Sequence, residues 1–238
     1  MDPIAAARAL VDERFPECLA AFVAGSVVAG RGTPTSDLDM VVITTREEAP
    51  YRESLRYEGW PVELFVHSTE SYKWYFASDR KNRMSTLTRM CLDGVVLRDR
   101  DGIAGTVRQE ARRLIEAGPE PLSQAELDFK RYMLTDLLDD FVGSTRPEET
   151  TFIAGSLVES AIDLLLAVNR KWSGKSKWAI RALDALDPAL TREAVEALEV
   201  FHLSKSRDPL VRFAARALDA AGGRLWEGFR QAGRRSGA

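Results

Sequence analysis

Histidine and cysteine are scarce in this chain, with only two of each in 238 residues. Cys18 and Cys91 stand far apart, and neither has a partner at metal-binding spacing, so the sequence offers no zinc motif and no disulfide framework. The two cysteines read as reduced core residues of a cytoplasmic protein. His67 and His202 lack carboxylate or cysteine neighbours at ligand spacing and read as incidental. Long apolar runs are missing too. No segment approaches the ~20 residues needed to cross a bilayer, and MDPIAAARALVDERF at the N-terminus carries acid and arginine in place of a signal-peptide core, so no membrane role is expected. Nor does one sign of charge dominate: 33 Lys and Arg face 36 Asp and Glu, a net charge of -3. That balance argues against affinity for long nucleic acids, which comes from covering phosphates. Internal repeats and low-complexity stretches are absent as well.

What is present falls into two halves, each long enough to bury a core. Residues 4–15 carry Ile4, Leu10, Val11 and Phe15 near helical spacing, ended by Pro16. An apolar strand over 19–24 stops at Gly25-Ser26, a tight turn expected to open a helix. After GRGTPTS comes a second strand with Asp37 and Asp39, then a polar connection, TTREEAPYRES, then the strand WPVELFVHS over 60–68. A helical region over 70–94 and a short strand over 95–99 complete this half. AGPEPLS, residues 117–123, combines two prolines and a glycine and marks the boundary, giving expected domains 1–117 and 118–238. Beyond it, Ser123 and Glu126 form a capping-box pattern ahead of a helix running to Phe141, with Gly143 to end it. A nearly all-apolar helix follows over about 151–171, then two or three more through residue 230. No strand pattern survives past residue 100. The expected fold class is α+β: a small mixed sheet flanked by helices, followed by an all-α bundle. The basic tail FRQAGRRSGA reads as a solvated end.

The anomaly in this pattern is AGSVVAGRGTPTSDLDMVV, residues 24–42. Two carboxylates at alternate positions in a buried strand share one face and repel each other, which calls for a compensating cation. Glu63 on the later strand adds a third acid if the two strands pair. Hard oxygen donors of this kind suit magnesium, whose shell is completed by water and substrate phosphates. Gly25-Ser26 supplies backbone amides and a hydroxyl at a turn, a setting that favours an anion. A phosphate cradle beside carboxylates is the equipment of metal-assisted phosphoryl or nucleotidyl transfer. The alternative for Glu63 is an exposed residue on an edge strand.

Gly25-Ser26, then Ser36 before Asp37-Leu38-Asp39, then Val62-Glu63-Leu64-Phe65-Val66 resembles the DNA polymerase beta-like nucleotidyltransferase superfamily. Within it the helical half looks most like the small-molecule branch, which includes aminoglycoside and lincosamide adenylyltransferases. The resemblance covers the first half with specific motifs, and the second only by layout and by KWSGKSKW, residues 171–178. It implies that Asp37, Asp39 and Glu63 hold Mg2+, and that Gly25, Ser26 and Ser36 meet the phosphates of a nucleoside triphosphate, ATP first. It also implies that Glu63 takes a proton from the acceptor hydroxyl; many relatives carry aspartate there, so the longer side chain is a departure.

In the second half, Tyr132, Asp136 and Asp140 fall four apart on one helix face, with Asp139 alongside. They read either as a face for a cationic, hydroxyl-rich acceptor or as a solvated acidic surface. Glu159, Asp163 and Arg170 form one stripe of the apolar helix, suited either to nucleotide contacts at a cleft or to internal ion pairs. Lys175 and Lys177 lie in the connection after it. Related transferases draw a triphosphate lysine from such a place, and Lys177 before Trp178 fits better. The expected activity is transfer of AMP, or another NMP, to a hydroxyl of a small molecule such as an aminoglycoside-like antibiotic. The alternatives are a protein-modifying enzyme of toxin-antitoxin type and a non-catalytic nucleotide binder. The sequence does not indicate how many subunits assemble.

Overall fold

The computed structural model describes residues 2–233, and the chain divides into two compact units, Met1–Pro119 and Glu120–Ala238. The architecture is α+β: a five-stranded mixed sheet with helices in the first unit and, among the described residues, helices alone in the second.

In the first unit, α1 (Pro3–Arg14) starts where sequence chemistry asks it to. The Asp2 carboxylate accepts from the amides of Ile4 and Ala5, both at 3.0 Å, and Pro3 takes the first helical position, where no amide is needed. The strands are β1 (Ala20–Ala24), β2 (Leu38–Ile43), β3 (Tyr51–Tyr57), β4 (Trp60–His67) and β5 (Val95–Asp99), in the spatial order β3-β4-β2-β1-β5. β2 and β4 run parallel, while the other neighbours are antiparallel. Helices cover both faces, which is why β1 and β2 read as continuous apolar runs. On one face Val23, Met40, Val42, Leu64 and Val66 pack with Ala6, Ala7, Leu10 and Val11 of α1. On the other, Phe22, Val41 and Ile43 pack with Tyr72 and Phe76 of α2 (Ser71–Asn82), Leu87, Met90 and Cys91 of α3 (Thr86–Asp93), and Val107 and Ala111 of α4 (Ile103–Ala117). Cys18 and Cys91 are buried, unbridged parts of these two cores.

Two local expectations need correction. The polar connection after β2 holds a strand, β3. It is an edge strand whose alternate residues turn to opposite faces: Glu53 receives both Arg14 guanidinium nitrogens at 2.9 and 3.0 Å, and the Tyr57 hydroxyl donates to Glu13 at 2.8 Å, while Arg52 lies over the Phe65 ring. Glu58-Gly59, both with positive φ, close the tight hairpin into β4. The second correction concerns Gly25-Ser26, which opens a turn and not a helix. The Ala29 amide reaches Gly25 O and the Arg31 amide reaches Ser26 O, but Gly30 adopts φ +69° and the turn ends there.

The second unit contains α5 (Gln124–Gly143), α6 (Pro147–Val168), α7 (Lys177–Leu186), α8 (Pro188–Ser204) and α9 (Asp208–Ala220). Its capping box is formed: the Ser123 side chain accepts from the Glu126 amide, and the Glu126 carboxylate accepts from the Ser123 amide at 2.8 Å. Leu138, Phe141, Leu157, Leu165, Phe201, Phe213 and Leu218 make up much of the core. Among the described residues no strand follows β5. Against the expectation that no segment reaches that length, one described helix, α6, is long and apolar enough to cross a bilayer; half of that stretch is buried, and its buried residues belong to this core.

Candidate metal and phosphate site

The site forms where the end of β1 meets the start of β2. In the antiparallel register Ala24 faces Asp39, so the chain leaves β1 through Gly25 directly beside the Asp39 carboxylate. Gly25 has φ +92°, and a Cβ there would stand 2.5 Å from Asp39 Oδ2. Both its left-handed backbone and its missing side chain are therefore used. Asp37 stands one residue ahead of β2 and not within it, a small correction to the expectation. The parallel register sets Asp39 beside Glu63 on β4, which is an interior strand with β3 and β2 on its two sides. The edge-strand reading of Glu63 is thereby excluded. One carboxylate oxygen from each of Asp37, Asp39 and Glu63 lies within 4.8 Å of the other two, and all three residues are partly exposed.

Asp39 shares its sheet face with Val41 and Ile43, so the acids occupy the uncovered end of a face whose other residues are core. Ser26 and Ser36 meet beside them. Their hydroxyls are 2.8 Å apart, and Ser36 Oγ also accepts from the Thr33 amide at 2.9 Å. The turn over 25–30 and the loop over 33–36 are thus tied to each other by hydroxyls. An open cleft of about 520 Å3 runs along Ser36, Arg56, Trp60 and Pro61. Another of about 250 Å3 runs along Arg52, Phe65, His67 and Tyr75. Pro61 and Phe65 are the β4 residues two positions before and after Glu63, on its own face.

The polar residue that the sequence did not flag is Arg52, which forms an ion pair with Glu63. Its signal was the alternation of Tyr51, Leu55 and Tyr57, which marks β3 within the polar connection. His67 is buried, and burial lowers its pKa to about 4, leaving a neutral ring edge-on to Tyr75 at 4.7 Å.

The remaining candidates lie in the helical unit. Tyr132 stacks on Phe229, at 4.1 Å, and on Trp226, at 5.3 Å. Phe229 begins the basic tail, of which residues 234–238 lie outside the described residues. Asp139 pairs with Arg224; Asp136 is half-buried and Asp140 exposed. Asp163 pairs with Lys130 and accepts from Ser173 Oγ at 2.6 Å, as an internal ion pair would. Glu159 is exposed, and Arg170 falls beyond the end of α6 at Val168, so the expected helical stripe stops short of it. Lys177 is the first residue of α7 and not part of the connection; its ammonium lies 6.0 Å from the Trp178 ring. Lys175 is exposed in the connection itself, and His202 is exposed on α8.

No protein-family description matches this chain. No curated protein matches it significantly either. Among solved structures, it is similar to a nucleotidyltransferase-like protein from Exiguobacterium sibiricum, at 12% identity and a TM-score of 0.46, over 92% of this chain and 73% of that one. A likeness of that size leaves the chemistry to be argued from the site's own geometry.

Proposed function

We propose that the chain is a magnesium-dependent nucleotidyltransferase of the DNA polymerase beta-like superfamily. It would transfer AMP from ATP to a hydroxyl of a small molecule such as an aminoglycoside-like antibiotic, in the cytoplasm. The observation that carries this reading is the meeting of Asp37, Asp39 and Glu63 beside a serine-lined turn. The donor set fits the ion: all three residues offer hard carboxylate oxygens, and one oxygen of each lies within 4.8 Å of the others. When bound, the ion would neutralise charge on the α- and β-phosphates and on the departing pyrophosphate.

The chain's own residues account for the rest. Ser26 and Ser36 hydroxyls and the amides of the Gly25 turn would donate to the triphosphate. The cleft beside Ser36, with Arg56 and Trp60 on its wall, supports the nucleotide there, since its volume lies in the range of small-molecule sites. Glu63 would take the proton of the acceptor hydroxyl as that oxygen bonds to the α-phosphorus; the α,β-bridging oxygen leaves with its electron pair as pyrophosphate.

The test incubates the protein with α-labelled ATP, Mg2+ and a panel of aminoglycosides, lincosamides and candidate proteins. Label on a small molecule, lost in Asp39→Asn, is the expected result. Label on a protein would replace the acceptor class, and nucleotide binding without any transfer would overturn the enzymatic reading.

A further inference from the structure

The three clustered carboxylates carry a charge that the protein meets in part with a residue of its own. Arg52, on the edge strand β3, lies opposite Phe65 in the register, and its guanidinium sits 4.9 Å from the Phe65 ring centroid. From there it reaches diagonally to Glu63 and pairs with it. The Arg52 side chain is 61% exposed while Glu63 is 22% exposed, so the cation approaches from solvent and covers a carboxylate that is largely sheltered. The aromatic ring gives the cation a contact that does not depend on the acid. The same side chain forms part of the wall of the 250 Å3 cleft.

We infer that Arg52 is a resident counter-cation that sets the divalent-metal affinity of the acid cluster. Without metal, its charge neutralises Glu63 and lowers the repulsion among the three carboxylates. A divalent ion has to share or win the Glu63 carboxylate from it, and the fixed positive charge of Arg52 opposes the incoming charge. Because Arg52 acts through Glu63 it is a positioning residue, and its removal should tighten metal binding. This inference rests on the metal-site reading above, and the experiment separates the two.

Mn2+ binding to the intact protein is titrated by electron paramagnetic resonance, without nucleotide, in wild type, Arg52→Gln, Arg52→Lys, Glu63→Gln and the Arg52→Gln/Glu63→Gln double variant. Arg52→Gln is expected to bind Mn2+ about tenfold more tightly than wild type, a shift of about 1.4 kcal/mol. Arg52→Lys, which keeps the charge and loses the planar fork, should fall between. In the Glu63→Gln background the Arg52 substitution should lose most of its effect, a coupling that a purely structural role would not produce. Mn2+ binding by wild type that Arg52→Gln leaves unchanged or weakens overturns this inference alone. Absence of binding in wild type and Arg52→Gln alike overturns the metal-site reading with it.

Discussion

Replacing Gly25 with alanine tests how tightly the turn and the acids are built together. Gly25 holds φ +92°, where an L-residue carries strain of about 1–2 kcal/mol, and the new methyl would meet Asp39 Oδ2 at 2.5 Å. The carboxylate has to retreat by roughly an ångström to restore ordinary contact, and displacement of that size at a reacting centre costs about a hundredfold in rate. Gly30→Ala supplies the control: Gly30 also has positive φ, +69°, but a Cβ there meets nothing within 4 Å. Both variants should therefore lose stability in urea unfolding, Gly25→Ala the more because of its contact with Asp39. Only Gly25→Ala should also weaken Mn2+ binding, by about tenfold or more, and lower label transfer. If the two variants bind Mn2+ equally well, the close approach of Gly25 to Asp39 has no role in the site.

His67 makes stability depend on pH. Its folded pKa, lowered to about 4 by burial, lies below the unfolded value near 6.5, so between those limits only the unfolded chain takes up the proton. Stability should fall by about 3 kcal/mol as pH drops from 6.5 to 4, and urea midpoints in His67→Asn should show a flatter slope over that window even if the variant is less stable throughout. Asp37→Asn should lower Mn2+ affinity at least about tenfold and label transfer by about 10²–10³, measured by titration and initial rates. Phe141→Ala removes a fully buried ring that packs edge-on against Phe201 at 5.4 Å, and should cost about 3–5 kcal/mol by urea unfolding.

The parts of the fold that could be read in the sequence were those set by local chemistry. β1, β2 and β5 are short apolar runs, and β2 announces itself by its abrupt change from acid to Met40-Val41-Val42-Ile43. The α5 start was legible because its cap is made by side chains three residues apart. β3 was hidden because an edge strand carries polar residues on its exposed positions; Arg52, Glu53, Ser54 and Arg56 outweigh Tyr51, Leu55 and Tyr57 in composition, and only their alternation reveals the strand. The absence of a helix after Ser26 turns on Gly30, whose positive φ ends the turn after one cycle of hydrogen bonds.

The same distinction runs through the site. Asp37 and Asp39 were visible because carboxylates beside a buried strand are costly and need a reason. Glu63 joins them only through the parallel pairing of β2 with β4, a long-range fact that one segment cannot show. Arg52 lies one step further: its strand had to be found, then its register opposite Phe65, before its reach to Glu63 could be seen. The sequence asked what neutralises two neighbouring aspartates and answered with a metal ion. The structure adds a cation from the protein itself, Arg52 paired with Glu63, and a metal held by the three acids would have to compete with it for that carboxylate. The strength of that competition, read as the change in Mn2+ affinity on removing Arg52, decides whether the cluster is poised for a metal or already compensated without one.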